Sequence, residues 1–176
     1  MAQGKVTVNN LNLAQGEFPE IERKALFIGQ GEENLNTLIT LNSQTNLDEV
    51  LGAEQSEIKT QVQAAQLNAG ENWQAYAIAK GSEYEWEDVV DEALQTVSVE
   101  FIVLCTPAQN ATAVNAMYAK AESLRTSQAR RVIILTATQG IGEQAWGAYI
   151  TEQANIVEGV AGYRVAVVPQ LHGNNL

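Results

Sequence analysis

The stretch VEFIVLC, from Val99 to Cys105, holds six apolar residues and one glutamate, with no alternation of polar and apolar positions. So short a run, rich in β-branched and aromatic residues, reads as a strand, and its nearly continuous apolar character places both faces in a core. A strand buried on both faces needs helices on either side, so its neighbours decide the class. Upstream lie a strand, WQAYAIAKG (Trp73 to Gly81), and an acidic amphipathic helix, YEWEDVVDEALQTV (Tyr84 to Val97). Downstream, AQNATAVNAMYAKAESLRTSQA (Ala108 to Ala129) sets Val114, Met117, Tyr118, Ala121 and Leu124 at helical spacing, and RRVIILTAT (Arg130 to Thr138) is again a fully apolar strand. The alternation continues with a helix, EQAWGAYITEQANIVEG (Glu143 to Gly159), and a strand, YRVAVVP (Tyr163 to Pro169). Strands alternating with helices of this length imply right-handed βαβ crossovers. The class is α/β: three layers, with a mostly parallel sheet and helices on both faces.

Working toward the N-terminus, KALFIG (Lys24 to Gly29) and TLITL (Thr37 to Leu41) read as strands, and NLDEVLGAEQSEIKTQVQAAQLNAG (Asn46 to Gly70) as a helical region. Asn46 with Glu49 three residues on predicts a capping box, Gly52 an interruption of the first turns, and Gly70 the end. Residues 1–23 lack helical periodicity and are expected to form an extended arm, leaving 24–176 as the α/β domain. Within the arm, VTVNNLNL (Val6 to Leu13) alternates as a strand would.

The segment KALFIGQGEENL (Lys24 to Leu35) begins as a nucleotide-binding loop does, with Gly29 and Gly31 after a strand. The third glycine of that fingerprint would fall on Asn34, and Glu32 and Glu33 would repel a phosphate. A sharp exit from the strand, kept in water by the two glutamates, is the reading we adopt.

Bulk properties narrow the partners. The 176 residues carry 21 acidic and 10 basic side chains, a formal charge of −11, and the only adjacent basic pair after the first strand is Arg130-Arg131. This disfavours nucleic acid and anionic membrane. No apolar run approaches the roughly 20 residues a membrane-spanning helix needs. Cys105 is the only cysteine, so no internal disulfide forms and folding in a reducing cytoplasm is expected.

In a parallel sheet ligands bind beyond the carboxyl ends of the strands. That edge is expected to gather GQGEE (29–33), CTP (105–107), TATQGIG (136–142) and PQLHG (169–173). The one enzyme reading on offer pairs Cys105 as nucleophile with His172 as base, in a small hydrolase-like protein. Against it, a lone cysteine ending an apolar strand more often packs as a small hydrophobe, and His172 has no orienting carboxylate in its own segment. One Cys and one His give no metal cluster, and the acidic runs lack the spacing of a calcium loop. No catalytic, metal or cofactor site is expected. Trp86 and Trp146, each near a helix start, are candidates for core or for interface anchors.

The order of segments resembles the sheath subunit of contractile phage tails and related injection machines. An extended arm is followed by ALFIG (Ala25 to Gly29), LITLNS (Leu38 to Ser43), an acidic turn ending in glycine, NLDEVLG (Asn46 to Gly52), a helix closing at Asn-x-Gly, AAQLNAG (Ala64 to Gly70), and the strand WQAYAIA (Trp73 to Ala79). The linker GQGEEN is shorter than is usual in that family, and this chain would be an N-terminal portion, truncated at its C-terminus relative to a full subunit. The resemblance implies a non-enzymatic structural protein of the virion tail, made in the bacterial cytoplasm. It would have no cofactor, and its partners would be further copies of itself in stacked rings and the tail tube protein. It also implies that Val6, Val8, Leu11 and Leu13 anchor an arm that adds a strand to a neighbouring subunit.

Overall fold

The computed structural model describes residues 24–69, 73–160 and 162–170. Strands β1 (Ala25–Gln30), β2 (Ile39–Asn42), β3 (Gln74–Lys80), β4 (Phe101–Ala108), β5 (Ile133–Thr138) and β6 (Val165–Val168) make one sheet in the order β2-β3-β1-β4-β5-β6. All pairings are parallel except that of β2 with β3. Helices α1 (Leu47–Leu51), α2 (Glu57–Ala69), α3 (Trp86–Thr96), α4 (Ala111–Gln128) and α5 (Trp146–Val157) link them. The α/β expectation, with a mostly parallel sheet and helices on both faces, is met. The arm expected over residues 1–23, with Val6, Val8, Leu11 and Leu13, lies outside the described residues, as do Gly70 and His172.

The layers follow from the sequence of crossovers. From β1 the chain passes to β3 on one side, then returns across β1 to β4 and continues outward to β5 and β6. Right-handed connections running in opposite directions must use opposite faces of the sheet. Accordingly Phe27, Val103 and Cys105 meet Leu47, Leu51, Ile58 and Val62 of α1 and α2. On the other face Leu26, Ile28, Ile102 and Leu104 meet Val89, Val90 and Leu94 of α3 and Val114, Met117 and Leu124 of α4. The central strands are thus buried twice, as VEFIVLC requires.

The interruption expected at Gly52 is found, and two other local features differ from the sequence reading. Between Asn46 and Ala69 the chain forms two helices, because Gly52 adopts φ 100° and the chain turns there. The Lys59 ammonium then donates to the carbonyls of Gly52 and Ala53 (both 2.7 Å) and pairs with Asp48 (2.7 Å), which fixes the turn. The Asn46 side chain caps α1 by accepting from the Asp48 N–H at 3.2 Å, an Asx turn in place of the expected capping box with Glu49. And β4 runs past Cys105 to Ala108, its register with β5 shifting after Leu104, where Pro107 has no N–H to give the ladder.

The glycines of KALFIGQGEENL also have a different reason. Gly29 lies inside β1, and the turn that follows is made by Asn34 (φ 51°) and Asn36 (φ 55°). A Cβ on Gly29 would stand 2.6 Å from the Cβ of Cys105 and 3.2 Å from that of Ile58; one on Gly31 would stand 2.7 Å from the Cβ of Ala79. These positions are glycine because α2 and the neighbouring strands fill the space. Gly29→Ala is expected to cost about 1–3 kcal/mol, read from the urea midpoint. Adding Cys105→Gly should cost less than the sum of the two single changes, because it removes the colliding carbon. Strictly additive losses would refute the collision as the reason for the glycine.

Candidate functional site

The carboxyl edge gathers much of what the sequence placed there. A groove of about 620 Å³ is walled by the start of α2 (Gln55, Ser56, Glu57, Thr60, Gln61), by Cys105 and Pro107 of β4, by the loop after β5 (Gln139, Gly140, Ile141, Gly142), and by Gln170 after β6. The CTP, QGIG and post-β6 segments therefore meet, whereas Gly29 and Gly31 lie beneath α2 as packing positions. Sequence reading missed the contribution of α2, because its first-turn residues are polar and carry no signature.

The groove is poor in chemistry. Its lining is dominated by amides and hydroxyls, and among the described residues Glu57 is its one charged side chain. Glu57 accepts a hydrogen bond from the Thr106 hydroxyl at 2.7 Å, which holds the carboxylate over the end of β4. An anionic ligand would meet that carboxylate and no lining cation. Cys105, only 3% exposed, is pushed far above the usual thiol range, first by burial and then by the negative charge of Glu57. A nucleophilic thiolate needs the opposite setting, a cation or a helix N-terminus with access to solvent. Cys105 is a core residue here, in contact range of the Gly29 backbone.

The other candidates sort by burial. Trp86 is half-buried and packs against the α3–α4 core, while Trp146 is 57% exposed. Trp146 begins a stripe on α5 that includes Ile150 (49%) and Val157 (47%), spaced by four and seven residues and so aligned on one side. The buried residues of that helix, Tyr149 and Ile156, lie beside the stripe, so its apolar face is wider than the part the core covers. Glu152 is the only charged residue in α5. That low charge was the sequence signal for the surface, although only Trp146 stood out in advance. The acidic start of α3, Glu87 and Asp88, faces the positive end of the helix dipole. One turn on, Asp91 pairs with Lys120 of α4 at 2.7 Å. Arg130 donates to the carbonyls of Leu94 (2.7 Å) and Val97 (3.2 Å), so half of the basic pair closes the end of α3. Among the described residues no group of three or more His, Cys, Asp or Glu could hold a metal, and no helix is long and apolar enough to cross a membrane.

An α/β domain with a weakly polar groove and an uncovered apolar helix is defined more by its surfaces than by an active site. From residue 3 to 176 the chain matches the family model described as DUF2586, N-terminal domain, and it belongs to that phage tail sheath-like family. A protein of Haemophilus phage HP1 (strain HP1c1), named "Putative tail sheath protein", is 34% identical over 179 residues, covering 96% of this chain and 47% of the relative. The chain thus spans about half the length of that relative. The family resemblance drawn from the order of segments is met.

The setting of Cys105 gives a pH prediction. Its folded pKa is raised above the unfolded value of about 8.5, so above that pH the unfolded chain loses a proton that the folded chain keeps. Stability from this group is fully present below about pH 8.5 and declines as pH rises further, by up to about 1.4 kcal/mol per unit. Urea unfolding between neutral pH and pH 10 should show this slope in the wild type and a shallower one in Cys105→Ala. At neutral pH the native thiol should resist iodoacetamide until the protein unfolds; rapid native alkylation would reinstate a reactive cysteine.

Proposed function

We propose that this chain is the N-terminal portion of a structural subunit of a contractile phage tail sheath, which assembles with copies of itself into stacked rings around a tail tube. The observation that carries the reading is the 34% identity to the phage HP1 protein across 96% of the chain. The site chemistry agrees with it: among the described residues the groove has no cation to receive an anion, and the Cys105 thiol is buried and pushed far above the usual range. On this reading the protein works through its surfaces, resides in the virion tail and assigns no catalytic role to Cys105 or His172.

Two surfaces are proposed to make the contacts. The α5 stripe offers Trp146, Ile150 and Val157 with little charge to desolvate, in a chain whose net −11 otherwise opposes self-association. The N-terminal arm offers Val6, Val8, Leu11 and Leu13 as alternating anchors for strand addition to a neighbour.

Negative-stain electron microscopy of the complete subunit is the assay for both. Trp146→Glu with Ile150→Glu is expected to abolish rings and tubes while leaving stability within about 0.5 kcal/mol of wild type, because both side chains already face solvent in the isolated fold. Intact tubes from this variant would remove α5 from the interface.

Val6→Pro with Val8→Pro deletes two N–H groups from any added strand. Circular dichroism and thermal unfolding of the α/β domain should be unchanged, and ring-to-ring contacts should be lost. Tubes of normal length would sink the arm's role.

A further inference from the structure

The sheet is not covered equally on its two faces. On the α3–α4 side the packing extends to the β6 edge, where Val165 and Val167 join the cluster and Ile156 brings α5 in beside them. On the opposite side α1 and α2 cover β2, β3, β1 and β4 and reach β5 only at the half-buried Leu135. The residues of β5 and β6 that face this side are paired in register, Leu135 with Ala166 and Ala137 with Val168, while Ile133 pairs with Phe101 of β4. Ile133 is 39% and Val168 42% exposed, and Leu135 and Ala166 are half-buried. Strands in a parallel sheet are ordinarily covered on both faces, and among the described residues this quadrant has only a partial outer layer, with Ala137 buried but Ile133 and Val168 left open. α5 cannot supply it, since a right-handed crossover from β5 to β6 puts that helix on the α4 side.

We propose that the polypeptide following residue 176 in the complete protein supplies this layer, laying an apolar face over Ile133, Leu135, Ala166 and Val168. The length of the matched relative commits the proposal to this occupant. The matched family model is an N-terminal domain, and the chain covers 47% of the phage HP1 relative, so a protein of that length continues for about as many residues again. Gln170, the last described residue, lies at the carboxyl edge of the sheet, held by donation from the Tyr149 hydroxyl to its carbonyl (2.5 Å) and from its own N–H to the Thr138 hydroxyl (3.4 Å).

The buried Cys105 permits a direct test, because a cysteine placed elsewhere is the accessible thiol of this domain. Val168→Cys is introduced into the complete reading frame and into residues 1–176, with Ser82→Cys, in an exposed loop away from the patch, as control. Maleimide labelling of the peptide containing each position is followed by mass spectrometry on unassembled protein. The expected result is labelling at position 168 at least about tenfold slower in the complete protein than in the 176-residue segment, with no difference at position 82. Equal rates at 168 would overturn the proposal. So would protection already present in the segment, which would put residues 1–23 on the patch, or protection lost on dilution, which would make the occupant a second copy. A reading frame with nothing after residue 176 would overturn it as well. The outcome is separable from the sheath reading: tubes without protection at 168 defeat this inference alone, and protection without tubes defeats only the assembly.

Discussion

Helix α2 can lie on this sheet only because positions 29 and 31 carry no side chain. Ile58 sits over both glycines, within 3.2 Å and 3.3 Å of where their Cβ atoms would be, and Cys105 closes on Gly29 from the adjacent strand. With Ile58 in that seat, the next residue, Lys59, has nowhere to go but inward and ends 3% exposed. An ammonium taken out of water costs several kcal/mol unless its hydrogen bonds are replaced. Here the carbonyls of Gly52, Ala53 and Glu54 and the Asp48 carboxylate replace them, and Asp48 itself stays largely in solvent. The turn between α1 and α2 is thereby determined by the packing of a helix several residues later. The same seat puts Gln55, Glu57 and Thr60 at the edge of the sheet, where they wall the groove.

That constraint also explains why the crevice where such a sheet usually takes its ligand is filled by side chains. In an α/β sheet whose strand order reverses beside β1, ligands usually enter between β1 and the next strand on the far side. Close packing of α2 at Gly29 fills that crevice with Cys105 and Ile58. What is left open lies outward, over β4 and β5, and is lined mostly by neutral side chains, with Glu57 the one charge among the described residues. Many exposed apolar residues lie elsewhere: Ile133, Trp146, Ile150, Val157 and Val168 belong to β5, α5 and β6, although Leu67 of α2 is 79% exposed. Among the described residues the fold therefore has a crevice closed by α2 and an unfinished end, at β5, α5 and β6, where apolar side chains stay exposed.

How far the sequence reveals this depends on whether a feature is local. The lack of alternation in VEFIVLC is a property of seven residues, and it suffices for a twice-buried strand and a layered α/β class. The antiparallel direction of β2 is not local: four residues of Ile39–Asn42 would fit either orientation, and the reversal is made by Asn34 and Asn36 in the left-handed region. Gly29-Gln30-Gly31 shows the limit most clearly. A glycine that cradles a phosphate and one that admits a helix have the same spacing, and only the 2.6 Å approach of Cys105 tells them apart. For the surface, Trp146 was visible as a candidate, whereas Ile150 and Val157 gain meaning only when the core is seen to stop at Tyr149 and Ile156.

The contacts that hold β6 bear on how the unfinished end behaves. Glu122 of α4 accepts from Arg125, from the Tyr163 hydroxyl and from Arg164, while Arg164 stacks 5.0 Å over the Tyr163 ring. The Arg125 hydrogen bond, more than the others, holds the Glu122 carboxyl below its usual range. Its contribution is therefore present above the ordinary carboxylate pKa and is lost as pH falls through the lowered one. Because these groups meet solvent, salt screens them and they position β6 more than they stabilise it. Apolar burial of β6 comes from one face only, through Val165 and Val167. A four-residue edge strand fixed by polar contacts on one side, with Val168 open on the other, is a part of this sheet whose stability responds to whatever packs against it.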